Sequence, residues 1–165
     1  MTTTALVLSD THLAAGRRGA LPGGVYRLLE GADVILHAGD IVAVDVLHEL
    51  SGWAPVHAVL GNNDLDPALS ALPARRVEVL DDVRVGMVHD SGARAGRAGR
   101  LRRWFPDADV VVFGHSHVPC LERGLDDQLL VNPGSPTQRR AQPAHTVALL
   151  EFDAGRVACS RIVEV

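Results

Sequence analysis

Lysine is absent from the chain, and its 16 basic residues are all arginine. With a formal net charge of −4, the composition gives no general attraction for nucleic acid or for an anionic membrane surface, so neither is indicated as a partner. Only 2 cysteines are present, Cys120 and Cys159, and their wide separation argues against a disulfide framework and against a cysteine-rich structural zinc site. No apolar run approaches the roughly 20 residues of a membrane span, and the run at residues 5–8 is too short for a signal sequence. These absences predict a globular protein of the reducing cytoplasm.

Length and composition predict one domain. Hydrophobic residues make up 47% of the 165 residues, which is enough for a sizeable core. Because no linker, repeat or low-complexity segment divides the chain, we expect the domain to span residues 1–165.

Apolar runs and turn signals predict an α/β fold. Strands at 5–8, 34–36 and 56–60 alternate with helices at 25–29 and 41–50, which is typical of a parallel sheet with right-handed crossovers. The pattern then changes to short strands around one further helix, with strands at 76–80, 83–88, 110–113, 120–123, 129–131, 147–152 and 157–165 and the helix at 94–105. This order predicts two sheets packed face to face with helices outside.

The stretch from Asp109 to His117 carries the strongest chemical signal. Its four apolar residues, Val-Val-Val-Phe at 110–113, read as a strand buried on both faces, and Gly114 ends that strand. The two histidines that follow, His115 and His117, project to the same side in extended backbone. Because neutral imidazole is the commonest protein ligand for transition metals, this spacing indicates a metal site.

Other predicted strands also end in side chains that can bind a metal. Ligands in open α/β sheets lie beyond the carboxyl ends of the strands. Any one of these residues has a structural alternative, such as Asp10 capping a turn or Asn62 holding a left-handed residue. Convergence of the whole set on one sheet edge is much better explained by metal binding. The set is Asp10, His12, Asp40, Asn62, His89, His115 and His117.

Together these motifs resemble those of the calcineurin-like metallophosphoesterase superfamily. The motifs are Asp-x-His at 10–12, Gly-Asp at 39–40, Gly-Asn-x-Asp at 61–64, a later His89 and Gly-His-x-His at 114–117, followed by an Asn-Pro-Gly-Ser turn at 132–135. The most similar group is that of the small, single-domain bacterial and archaeal phosphodiesterases. The resemblance implies a four-layer αββα sandwich of two mixed β-sheets flanked by helices.

The resemblance also implies a dinuclear metal centre. Asp10, His12 and His117 would bind the first divalent transition-metal ion, and Asn62, His89 and His115 would bind the second. Asp40 would bridge the two ions. Manganese is the first choice, with iron, zinc and nickel as alternatives.

The implied activity is phosphodiester hydrolysis by attack of a metal-bridging hydroxide on a small phosphoester substrate. The catalytic residues would be His12, Asp40 and Asn63. Asn63 occupies a position where many relatives carry a histidine that protonates the leaving group, and His89-Asp90-Ser91 replaces their His-Gly-His, so His12 is the remaining acid candidate. Alternatives are a phosphomonoesterase or nuclease on the same site, or a protein-binding scaffold with little catalysis; a homo-oligomer is also left open.

The remaining histidines and arginines have weaker signals. His37 is interpreted as a hydrogen-bonded core residue, and His48, His57 and His145 as structural or solvated. Arg94, Arg97, Arg100 and Arg103 recur every three residues and form either a solvated helix face or a basic rim for phosphate. For Arg139 and Arg140 two interpretations are equally expected. One of the two arginines lies near the substrate, or both have a purely structural role.

Overall fold

The computed structural model describes residues 2–17 and 20–165. Two mixed sheets of five strands each form its centre. The first sheet contains β1 (Thr3–Leu8), β2 (Val34–His37), β3 (Val56–Ala58), β9 (Thr146–Asp153) and β10 (Arg156–Glu164). The second contains β4 (Arg75–Leu80), β5 (Val83–Val88), β6 (Val110–Val112), β7 (Cys120–Arg123) and β8 (Leu129–Asn132).

The strand order brings the predicted site loops to one edge. The first sheet runs β10-β9-β1-β2-β3, with β1, β2 and β3 parallel. The second runs β4-β5-β6-β8-β7, with β5, β6 and β8 parallel. Parallel neighbours place their carboxyl ends together, so the segments after β1, β2, β3, β5 and β6 can meet.

Three helices cover the sheets: α1 (Gly23–Leu29), α2 (Val44–Ser51) and α3 (Arg97–Trp104). Short 3₁₀ turns occur at Pro67–Leu69 and Leu125–Asp127. None of the helices in the described part of the chain has the length and apolar character needed to cross a membrane.

Alternating side chains divide the core into three layers. Ala5 and Val7 of β1 face the second sheet and belong to the cluster between the sheets. Leu6 and Leu8 point the other way, into a cluster with α1 and α2. Leu101 of α3 packs in a third cluster against the outer face of the second sheet. The predicted four-layer sandwich is therefore confirmed.

Several predicted element boundaries are wrong by a few residues. The helix predicted from residue 41 begins at Val44, because Asp40 and Val42 adopt positive φ angles of 56° and 81° that a helix excludes. The helix predicted from residue 94 begins at Arg97, after Gly96 with φ of 70°. The third strand ends at Ala58 rather than at residue 60.

Candidate metal centre

One group of donor atoms forms around the Asp10 carboxylate. Asp10 is completely buried, and its Oδ1 lies 3.3 Å from His117 Nε2 and 3.7 Å from His12 Nε2. The two imidazole Nε2 atoms are themselves 3.3 Å apart. The donor atoms of Asp10, His12 and His117 all lie within 4.8 Å of one another. Such an arrangement of one carboxylate and two imidazoles can hold a metal ion.

A second group forms around the Asn62 side chain. Its Oδ1 lies 3.0 Å from His89 Nε2 and 3.0 Å from His115 Nδ1. Asp40 lies between the groups, because its Oδ1 is 3.4 Å from His89 Nε2 and its Oδ2 is 3.4 Å from His12 Nε2. The structure thus brings together all seven side chains that the sequence predicts at the centre.

Backbone carbonyls fix the proton positions of two imidazoles. His89 Nδ1 lies 2.7 Å from the Ala38 carbonyl, and His117 Nδ1 lies 2.5 Å from the Gln138 carbonyl. A carbonyl only accepts, so both Nδ1 atoms carry the proton, and in the neutral rings both Nε2 atoms present a lone pair. The lone pair of His89 then faces the oxygens of Asn62 and Asp40.

The surroundings of the Asp10 carboxylate also favour a bound cation. Its Oδ2 accepts hydrogen bonds from Ser9 Oγ at 2.6 Å and from the His115 backbone N–H at 3.0 Å. Its Oδ1 is buried without a hydrogen-bond partner among the described residues. A buried carboxylate oxygen without a partner is costly. An ion held by Asp10, His12 and His117 would satisfy it, so the residues present fit a bound metal.

The carboxylates at the centre stay ionised. Burial by itself raises the pKa of Asp10, but the adjacent imidazoles of His117 and His12 and the hydrogen bond from Ser9 outweigh it and hold that pKa well below its usual range. For Asp40, burial is likewise outweighed by the adjacent His89 imidazole and by hydrogen bonds from Asn63, and the pKa is lowered. For His89, burial is outweighed by the adjacent Asp40 carboxylate, and the pKa is raised. The centre therefore offers two negative charges to cations.

The backbone at the centre adopts a conformation that L-residues avoid. Residues held at positive φ each cost about 1–3 kcal/mol and cluster at functional sites. Five of the seven predicted ligands have positive φ: Asp10 (55°), His12 (45°), Asp40 (56°), His115 (68°) and His117 (60°). The strain lies where the donor atoms converge.

Two glycines make the close approach of these loops feasible. A Cβ atom on Gly114 would lie 1.8 Å from Ser9 Oγ and 2.6 Å from Asp10 Oδ2. A Cβ atom on Gly61 would lie 2.1 Å from the Asp40 nitrogen. Neither position tolerates a side chain without displacement of a predicted ligand.

Asp64 is a supporting residue of the centre whose contacts do not follow from its motif alone. Its Oδ1 accepts the N–H groups of Ile41 and Val42, both at 2.7 Å. Its Oδ2 accepts those of Gly61 at 2.6 Å and Asp40 at 3.1 Å. One buried carboxylate thus joins the loops after β2 and β3. The available signal was an acidic residue three positions after a glycine in a turn, where Asp commonly binds nearby backbone groups.

The turn after β8 supports the centre through hydrogen bonds to the backbone of the ligand loops. Ser135 Oγ donates to the Asp10 carbonyl at 2.8 Å, and Thr137 Oγ1 donates to the Thr11 carbonyl at 2.6 Å. Asn132 Nδ2 donates to the Gly114 carbonyl at 3.0 Å. The Asn-Pro-Gly-Ser motif therefore holds both loops that carry the first group of donors.

The other predicted residues have defined places. Asn63 donates to Asp40 through its backbone N–H at 2.8 Å and its Nδ2 at 2.7 Å. His37 is fully buried, with Nε2 3.1 Å from Thr11 Oγ1, and burial lowers its pKa to about 4. Arg140 lies 3.4 Å from the His115 carbonyl, whereas Arg139 donates to the Gln142 carbonyl.

The four evenly spaced arginines do not share one environment. Arg94 and Arg103 are exposed, but the Arg97 guanidinium stacks 4.9 Å above the Phe113 ring. Arg100 Nε donates to the Ser91 carbonyl at 2.7 Å. The interpretation as a uniformly solvated helix face is therefore wrong, because Arg97 and Arg100 fold back onto the protein.

Comparisons with known proteins agree with this geometry. A profile of the calcineurin-like phosphoesterase superfamily domain matches residues 4–155. A probable metallophosphoesterase from Methanothermobacter thermautotrophicus is 38% identical over 153 residues, covering 92% of this chain and 87% of that protein.

Solved structures share the fold. The chain is similar to an archaeal phosphodiesterase, with 21% identity, a TM-score of 0.74, and coverage of 99% of this chain and 100% of that one. It is also similar to Vps29 from Entamoeba histolytica complexed with Zn²⁺, with 22% identity, a TM-score of 0.76, and coverage of 99% and 98%. On the evidence of the profile and the relative, the chain belongs to the calcineurin-like phosphoesterase superfamily.

Proposed function

We propose that this protein is a dinuclear metal-dependent phosphodiesterase acting on small phosphoesters. The observation that carries the proposal is the position of Asp40. Its two carboxylate oxygens each lie 3.4 Å from an imidazole nitrogen, one belonging to each group of donors. A carboxylate so placed can bridge two cations.

The ligand types leave the loaded centre positively charged. Asp10 and Asp40 contribute two negative charges, and the remaining donors are neutral imidazoles and one amide. Two divalent ions would activate a water molecule near neutral pH and clamp the phosphoryl group. Since two such ions carry four positive charges, the surplus favours an anionic phosphate over a neutral ester. The mixture of carboxylate, imidazole and amide suits Mn, Fe, Zn or Ni.

The substrate approaches from the side of the second group. Asp10 and Asp40 are buried, whereas Asn62 and His115 are exposed. A cleft of about 340 Å³ opens here and is lined by Asn62, His89 and Arg75. Arg75 supplies a further positive charge, and its guanidinium stacks 3.9 Å above the Trp104 ring.

His12, the acid candidate from the sequence, can protonate the leaving oxygen only while its Nε2 is not bound to metal, because one nitrogen cannot serve both roles. Its side chain is 12% exposed and its Nε2 lies within 3.7 Å of both carboxylates. The amide of Asn63 has no proton to give at neutral pH, and it is engaged with Asp40. We therefore expect faster turnover of esters whose leaving group departs as a stable anion.

The decisive experiment measures hydrolysis of bis(4-nitrophenyl) phosphate by the manganese-loaded protein. We expect activity that disappears with chelator and in His117→Ala. The matched control is His48→Ala, which removes an exposed histidine outside the centre. Full metal occupancy without activity would refute the proposal.

A protein-binding scaffold is the second candidate. Vps29 proteins share the fold, and Leu65, which follows the Asn62-Asn63-Asp64 turn, is 85% exposed. A large apolar residue at the rim of the centre suits a protein contact. Metal occupancy without hydrolysis of any phosphoester would favour this candidate.

Both cysteines are free, which suits the reducing cytoplasm that we propose as the location.

A further inference from the structure

A second, larger cleft lies beside the metal centre and takes no part in the function proposed above. It has a volume of about 560 Å³. Its lining residues are Arg94, Arg97, Ser116, Val118, Pro119, Cys120, Leu121 and Glu122. Clefts of this size commonly bind small organic ligands.

Arg97 carries a positive charge that its surroundings satisfy only in part. Its side chain is only 12% exposed and stacks on Phe113, and the one ionic contact found for it among the described residues is a long one of 3.8 Å to Glu122 Oε1. Its Nε is buried without a hydrogen-bond partner in the part of the chain that the structure describes. A guanidinium has five N–H donors, and a buried charge without hydrogen bonds is unfavourable. An anion in the cleft would offset this charge.

The neighbourhood adds positive charge. Arg94 lines the same cleft and is exposed. Helix α3 begins at Arg97 with no acidic residue in its first turn and no side chain capping it. The partial positive charge of the helix start therefore adds to the two guanidinium groups. Glu122, with a side chain 40% exposed, is the one carboxylate that lines the cleft.

The lining of the cleft also contains apolar side chains. Val118 is 45% exposed and Leu121 is 38% exposed, so both can contact a ligand. Burial raises the pKa of the Cys120 thiol to about 11, so this group is neutral at pH 7. The lining thus combines cationic and apolar side chains.

The cleft adjoins the segment that carries two of the predicted ligands. Ser116 lines it and lies between His115 and His117 in the chain. Arg97 stacks on Phe113, at the carboxyl end of β6. Arg100 of the same helix donates to the Ser91 carbonyl, two residues after His89. A substrate held at the metals can therefore extend into the cleft.

We infer that this cleft binds the distal part of the substrate, and that this part carries a second negative charge on an apolar or aromatic body. The inference rests on the proposed function for the reacting phosphate. It narrows the substrate class to phosphoesters with a further anionic group, such as a carboxylate or another phosphate.

The kinetic test compares two diesters with the same leaving group. One is phenyl 4-nitrophenyl phosphate, and the other carries a carboxylate on the phenyl ring. We expect wild type to prefer the carboxylated ester, and Arg97→Gln to lower the ratio of the two kcat/KM values about tenfold, the order expected for hydrogen bonds to a charged group. Arg97→Lys should restore part of the preference. Arg103→Gln, on the exposed side of the same helix, should leave the ratio unchanged.

A wild type without preference, or a ratio that falls equally in Arg103→Gln, would overturn the inference. If Arg97→Gln does not fold, Arg94→Gln carries the same test, because Arg94 is exposed and its loss leaves the core intact.

Binding without metal separates this inference from the proposed function. Calorimetry in chelator would measure the affinity for naphthalene-2-sulfonate, an apolar anion. We expect binding in wild type and a Kd about tenfold higher in Arg97→Gln, for the same hydrogen-bond reason. Binding of this anion by a protein without phosphoesterase activity would support the anion-binding cleft and refute the proposed enzymatic function. Activity without this binding would support the enzymatic function and refute the anion-binding cleft.

Discussion

Replacing Asp64 with asparagine tests how far the metal centre depends on one buried carboxylate outside it. Asp64 is 8% exposed and accepts four backbone N–H groups, two on each oxygen. An asparagine keeps one acceptor oxygen. Its amide nitrogen would then face two N–H donors, from either Ile41 and Val42 or Asp40 and Gly61.

The structure sets the size of the effect. Each buried donor left without a partner costs about 1–3 kcal/mol, so the loss of two predicts a decrease of about 2–6 kcal/mol in the free energy of unfolding. For a domain of this length, 1 kcal/mol corresponds to about 2–4 °C in Tm. Since the Asp40 backbone is held at a strained φ of 56°, losing its support should also weaken metal affinity about 10–100-fold, the range seen for outer-shell partners of ligands.

Two measurements check this prediction. Thermal unfolding in chelator gives the stability effect without metal, and titration with Mn²⁺ gives the affinity. Asp107→Asn is the matched control, because Asp107 is exposed and precedes β6, whereas His115 and His117 follow the other end of that strand. If Asp64→Asn unfolded at the same temperature as wild type and bound metal as tightly, the buried carboxylate would not hold these loops.

Further predictions address the bridge, the close contacts, the acid and the core histidine. Elemental analysis should find about two metal ions per loaded chain, and Asp40→Asn should lose occupancy at both positions because it touches both groups of donors; loss of one alone would contradict the bridge. Gly114→Ala should lower the free energy of unfolding by about 1–3 kcal/mol through overpacking, and Gly31→Ala, with open space around it, should not. Asn63→His should raise alkyl-ester turnover relative to aryl-ester turnover, by up to about 10²-fold if the new imidazole protonates the leaving oxygen; an unchanged kcat/KM ratio would return that role to another group. His37 has a pKa of about 4 when folded, so the unfolded chain binds more protons between pH 6.5 and 4 and stability falls as the pH falls through that window. Denaturation at pH 7 and pH 4.5 should show wild type losing about 2–3 kcal/mol more than His37→Gln.

The layers of the fold follow from features that the sequence displays. Runs such as Val110-Val111-Val112 favour buried strands, and the alternation of strands and helices before residue 60 predicts the parallel order of β1, β2 and β3. The types of ligand can also be predicted from the sequence, because the metal-binding groups are the side chains themselves. Convergence at one edge is a consequence of parallel strands.

The local backbone could not be predicted in the same way. The apolar pattern predicts the start of α2 three residues too early, because Ile41 and Val42 continue that pattern. What interrupts that pattern is tertiary: Asp64 takes their N–H groups from 22–23 positions away. Similarly, the fold of Arg97 onto Phe113 depends on how α3 packs on the sheet, which periodicity alone does not show.

Main-chain atoms, rather than further side chains, orient the two histidines whose proton positions are fixed. The carbonyls of Ala38 and Gln138 hold His89 and His117 with their Nε2 lone pairs directed at oxygens of the centre. In this arrangement the Nε2 lone pairs face oxygen atoms, and both kinds of atom are hydrogen-bond acceptors. Either a proton or a metal ion must therefore lie between them. A bound divalent ion would resolve the conflict at several positions together, including the buried Asp10 Oδ1 that lacks a partner among the described residues. The backbone that imposes these tautomers therefore favours the metal-loaded state, and it does so through carbonyl groups that any residue type could supply.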